Sequence, residues 1–113
     1  MFSSSQRVKR LQGIIEKDGF NQAAHYMLGE EYLREDRPVS AVNKFRRVVE
    51  LNPDHGAAWN MMARAYEAAG VSKEAAVAYR EAARAFTRAG ETDRAAAATQ
   101  AAEASARAAT QAL

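Results

Sequence analysis

The apolar positions of the chain fall at helical spacing over most of its length. One stripe recurs at a fixed step, in Arg7–Glu16, Ala41–Glu50 and Ala75–Arg84. Val8, Val42 and Ala76 coincide, then Leu11, Phe45 and Tyr79, then Ile14, Val48 and Ala82. Steps of three and four put each stripe on one helix face. A second register lies between these segments. His25, Leu28, Gly29 and Tyr32 sit at i, i+3, i+4 and i+7, and Trp59, Met62, Ala63 and Tyr66 repeat them at the same step. The small residue in the middle of this stripe lets a neighbouring helix approach closely. The pattern predicts six helices, at about 6–17, 22–35, 38–51, 55–69, 72–89 and 92–112. Their boundaries are marked by side-chain chemistry. Asn21 and Asp54 can cap helix starts, and Pro38 suits a first turn. Gly70 and Gly90 suit left-handed helix ends. Asn52-Pro53 breaks the chain between two units.

A helix–turn–helix unit with a period of about 34 residues resembles the tetratricopeptide repeat, whose pattern is W-x2-L-G-x2-Y, then A-x3-F, then P. In residues 22–55, Leu28, Gly29, Tyr32, Ala41, Phe45 and Pro53 match, with His25 in the aromatic opening place. In residues 56–89, Trp59, Tyr66, Ala75 and Tyr79 match, Met62 and Ala63 are conservative variants, and Thr87 stands in place of Pro. The resemblance implies an all-α fold, a short right-handed solenoid of about two and a half units forming a single domain over 1–113. Helix 6–17 reads as the second half of a unit. Repeats 22–55 and 56–89 follow, and then an Ala-rich capping helix in 90–113. Gln100 holds the place of Tyr32 and Tyr66 in this last helix, and only Leu113 is bulky. A weakly held cap that frays toward its end is expected, because each missing methylene forfeits about 0.8 kcal/mol of burial.

Composition sharpens that picture. Alanine supplies 27 of the 113 residues, half of the apolar total, so the core must be thin. Cysteine is absent, which excludes disulfides, thiolate metal sites and a cysteine nucleophile. Sixteen bases against 14 acids leave a net charge of +2, and the two signs alternate. Lys9-Arg10 and Arg46-Arg47 are the only adjacent basic pairs, so no nucleic-acid stripe is expected. No apolar run reaches the length of a membrane span, and Met1–Arg7 has no signal-like stretch. A cytoplasmic protein is the expectation. The abundance of Ala and Arg, both with GC-rich codons, points to a bacterial source.

No catalytic set can be assembled. Serines lie in the N-terminal tail, at helix starts or on the last helix, and His25 and His55 lack metal-ligand spacing. No enzyme activity, metal or cofactor is expected. His25 reads as filling the packing slot that Trp59 fills one repeat later. The resemblance implies instead that the free faces of the first helices line a concave groove. Its expected lining is Tyr26, Met27, Glu30, Leu33 and Arg34 from the first repeat and Asn60, Met61, Arg64 and Glu67 from the second. Methionine adapts to varied shapes, and the mixed lining suits a peptide or an amphipathic helix of a partner protein. The alternative for Met27, Met61 and Leu33 is ordinary packing. In family members that clamp a chaperone's acidic tail, Lys and Asn stand where this chain has Ala23, Met27 and Met61, so that clamp is absent. The expected function is therefore a partner-binding adaptor. A self-assembling scaffold, such as a homodimer joined end to end, is the alternative. Tyr32, Phe45, Trp59, Tyr66 and Tyr79 are assigned to the core, with Trp59→Ala expected to cost about 3–5 kcal/mol.

Overall fold

The computed structural model describes residues 1–111, so Ala112 and Leu113, the end of the expected cap, lie outside the described residues. Six α-helices and no strand occur among the described residues: α1 Ser4–Lys17, α2 Gln22–Arg34, α3 Pro38–Leu51, α4 Gly56–Ala68, α5 Ser72–Arg88 and α6 Thr92–Gln111. Short turns fold each helix against its predecessor, and consecutive helices make nearly all the packing. This is the layout of a helical solenoid.

Most boundaries follow from the punctuation. The Asn21 side chain accepts from Ala24 N at 2.9 Å and caps α2. Pro38 opens α3. Gly70 and Gly90 take φ of 78° and 75° at the ends of α4 and α5. Asp36, one repeat before Gly70, holds the same left-handed turn at φ 57°.

Two boundaries differ from expectation. Helix α1 starts at Ser4 because Ser3 forms a capping box, its Oγ accepting from Gln6 N and its N–H donating to Gln6 Oε1. At α4 the cap is His55, whose Nδ1 accepts from Ala58 N at 3.1 Å. Asp54, expected there, instead pairs with Arg88 at 3.0 Å. Helix α5 ends within one residue of the expected 72–89, and has 17 residues against 14 for α3. Thr87, standing where Pro53 stands one repeat earlier, allows the helix to continue.

The core runs through the stack. Leu28, Phe45 and Val48 are fully enclosed, with Val8, Leu11, Tyr32, Val42, Val49, Met62 and Tyr79 around them. Trp59 and Tyr66 depart from the expectation, being only half-buried against that core. The Trp59 indole N–H reaches out to Pro53 O at 2.8 Å, and Tyr66 accepts from the Arg46 guanidinium at 2.9 Å. Their rings close over the turn and the neighbouring helix rather than filling the interior. His25 is buried as expected. Its Nε2 lies 2.9 Å from Gly19 O. That carbonyl can only accept, so Nε2 carries the proton and Nδ1 is left as a buried acceptor without a partner.

Candidate functional site

The expected groove residues divide between two hollows. The first is an open cleft of about 410 Å³ bounded by α2, α4, α5 and α6. Tyr26 comes from α2, Ala57, Asn60 and Met61 from α4, Tyr79 and Phe86 from α5, and Arg94 from α6. The far wall is Ala97, Ala98 and Ala101. These methyl groups fill little space, which is why the cleft stays open.

Each side chain here has a physical reason for its place. The Tyr26 ring stands edge-on to Phe45, centroids 5.5 Å apart, and stacks on His55 at 5.4 Å. Two rings thus fix it. Burial, with the nearby Glu30 carboxylate, pushes its phenol pKa up, so the hydroxyl stays protonated. Tyr79 donates its hydroxyl to the Glu67 carboxylate, and burial together with that bond also raises its pKa. Met61 is half-buried against the core. The Arg64 guanidinium lies 3.5 Å from its sulfur. Arg94 stacks over Phe86 at 5.6 Å and pairs with Glu91 at 3.1 Å. Tyr26, Asn60 and Arg94 follow one another at the repeat step, one on each first helix, and all three face this cleft.

The second hollow, about 450 Å³, lies between α1 and α2. It gathers Met27, Glu30 and Arg34 with Phe2, Arg10, Leu11 and Ile14. At its edge Glu31 is 2% exposed. Its carboxylate accepts from Arg34 and from Arg7 Nε at 2.6 Å. Ser4 Oγ lies 2.9 Å from Glu31 and 2.7 Å from Glu35, and its one proton can serve only one of them. The guanidinium bonds from Arg34 and Arg7 hold the Glu31 carboxyl at about 2, well below 4.5. Arg7 and Arg34 remain half-exposed. The cover over Glu31 is therefore one side chain thick, and the cluster latches α1 to α2.

The structure therefore brings Tyr26, Asn60 and Met61 together and sends Met27, Glu30 and Arg34 to the other hollow. Leu33 is half-buried against the core and lines neither. Glu67 is engaged by Tyr79, and Arg64 rests by Met61. Arg94 and Glu31 were not anticipated. Arg94 was within reach, since one more repeat step from Asn60 arrives at it. Glu31 gave no signal, because a lone acid beside Glu30 reads as solvated surface. Among the described residues no three His, Asp or Glu side chains gather as a metal site. No described helix is long and apolar enough to cross a membrane.

Comparison with known proteins agrees with this architecture. Residues 22–65 match the tetratricopeptide repeat family profile. No curated protein matches the chain in sequence. A crystal structure of MamA superposes with a TM-score of 0.68 at 18% identity, over 96% of this chain and 71% of that one. A second MamA crystal structure gives 0.65 at 19% identity, over 92% and 64%. A third structure, titled MamA MSR-1 C2, gives 0.60 at 18% identity, over 88% and 66%. The chain thus spans roughly two thirds of the MamA structures it matches, and likeness at this identity speaks to the fold. The fixed period, the paired helices and the profile match agree, and residues 22–65 of the chain match the tetratricopeptide repeat family.

Proposed function

We propose that this chain is a non-enzymatic interaction module that holds a short peptide or helical segment of a partner protein in the cleft between α2, α4 and α6. The observation that carries this reading is the row Tyr26, Asn60 and Arg94 beside Met61, turned toward one open cleft. Tyr26 offers a ring and a hydroxyl, Asn60 an amide donor and acceptor, Arg94 a cation, and Met61 an adaptable apolar contact. A peptide laid across three first helices meets each of them in turn. Arg64 and Glu67 support this surface through Met61 and Tyr79, while Met27, Glu30 and Arg34 line the other hollow and Leu33 lines neither.

The test is co-purification from native lysate with tagged wild type and Met61→Asp, both checked by circular dichroism. The reading expects a distinct protein that is recovered by wild type and lost with Met61→Asp. That protein, once purified, must bind the purified chain directly. The second reading, a homo-oligomeric scaffold, draws on the exposed Met1, Phe2, Phe20 and Met27 at the α1 end. It predicts a mass that rises with concentration, and only untagged copies of the same chain on both baits.

A further inference from the structure

The hollow between α1 and α2 has the form of an unfilled helix position. The repeat step maps α1 onto α3 and α2 onto α4. On α3, Ala41, Phe45 and Val48 are fully enclosed, with the Phe45 ring seated against α2 at Gly29. Their counterparts on α1 are Arg7, Leu11 and Ile14, and all three line the hollow. Ile14 is 37% exposed. On α4, Met61 is half-buried, whereas its counterpart Met27 is 51% exposed. Leu11 is buried, as Phe45 is, but no described residue covers Ile14 and Met27 as α2 covers their counterparts on α3 and α4.

We infer that this position receives a helix of three to four turns from a partner protein, amphipathic and acidic along its flank. Three observations select that occupant. The length follows from the helix that fills the equivalent place, α2, which has 13 residues. The charge follows from the lining, where Arg7, Arg10 and Arg34 stand against Glu30 and Glu31 and leave one cation in excess. Arg7 and Arg34 already serve Glu31. Arg10 rests on the exposed Phe2 ring at 5.9 Å, with no carboxylate of the described residues bonded to it. An incoming acid therefore finds a cation at the rim, beside the apolar floor of Leu11, Ile14 and Met27. The third observation removes a second copy stacked head to tail. That copy would offer α6, whose outward face is Ala, Thr, Gln and single charges, with no bulky side chain to fill about 450 Å³. A flat lipid surface matches the basic charge but not a trough between two helices. This surface is separate from the cleft around Met61, so the two readings stand or fall independently.

The experiment uses the full chain and a labelled synthetic 16-residue helical peptide. The peptide carries Leu at i, i+3, i+4 and i+7 and Glu on its flanks. A copy with Lys for Glu is the control. Fluorescence anisotropy should show binding of the Glu peptide and at least tenfold weaker binding of the Lys peptide. Ile14→Glu and Met27→Glu are exposed substitutions, with folding checked by circular dichroism. Each should weaken binding of the Glu peptide at least tenfold. Arg10→Glu should weaken it several-fold at low salt, and Met61→Asp should leave it unchanged. Equal binding of both peptides, or binding indifferent to Ile14→Glu, would overturn the inference. So would no peptide binding alongside Ile14-dependent attachment to phosphatidylserine vesicles, or alongside an Ile14-dependent dimer in sedimentation.

Discussion

The first repeat and the second fold to the same plan with different material. Around α2 and α3 the interior is built from Leu28, Tyr32, Val42, Phe45, Val48 and Val49, with Ala24, Gly29 and Ala41 as the small residues. From α4 onward the buried apolar side chains among the described residues are alanines, with Met62, Tyr79 and Phe86 the only larger ones. Large side chains enclose much apolar area but hold helices apart. Alanine encloses little but lets helices come close, and it favours the helix itself. The alanine-packed end also leaves its space uncommitted, and the cleft opens there, against Ala97, Ala98 and Ala101. The large buried side chains are concentrated in the first repeat, and the proposed binding cleft opens at the boundary with the second.

The contrast breaks most visibly in the first repeat. Phe45→Ala should cost about 3–5 kcal/mol, enough to unfold most of a marginal domain by thermal melting. Trp59→Ala, in the second repeat, should cost about 2–3 kcal/mol, because the ring is half-buried and its indole N–H faces the Pro53 turn. A Trp59 variant melting at the wild-type temperature would contradict the repeat register. Gly29→Ala should cost about 1–2 kcal/mol, through overpacking only partly offset by alanine's helix propensity. Its new methyl would stand 2.7 Å from the Phe45 ring. The second repeat already carries Ala63 at that place.

Acid tests the α1 latch. The Glu31 carboxyl is held at about 2 against 4.5 in the unfolded chain. Its contribution is therefore complete above pH 4.5 and is lost as pH falls toward 2. Given its thin, solvent-touched cover, that contribution is about 1–2 kcal/mol. Glu31→Gln should lower the melting temperature at pH 7 and flatten the acid limb of the stability curve. An acid limb identical in both proteins would remove the latch from the account.

The alanine end should also open first. Amides of 100–111 should exchange at least tenfold faster than those of 59–66, and equal protection would mean that close alanine packing alone holds α6 firmly. The smallest effect belongs to Asp36. Asp36→Gly should raise stability by up to about 0.5 kcal/mol, because the turn is left-handed there, as at Gly70.

Much of this architecture was legible in the sequence because period and punctuation are local signals. The six helices, the caps at Asn21 and Pro38, and the left-handed ends at Gly70 and Gly90 all follow from neighbouring residues. Side chains that act across helices were not legible. His55 took the cap from Asp54 because Asp54 finds Arg88 in the next unit, a full repeat away along the chain. Glu31 is buried only because α1 brings Arg7 and Ser4 over it. The candidate site was half visible. The row through Tyr26 and Asn60 was readable, but the single groove expected for all nine residues divides in two. The bulk of α1 on one side and the bareness of α6 on the other decide that, and neither shows in the pattern of α2 or α4.

The central claim is that the cleft around Met61 is the working surface. It is tested most directly by selecting peptides from a random library on the folded chain and mapping their binding by amide chemical-shift perturbation. The account predicts shifts centred on Tyr26, Asn60, Met61 and Arg94, with binding at least tenfold weaker in a folded Met61→Asp variant. Shifts that avoid those residues, with affinity unchanged in Met61→Asp, would contradict it.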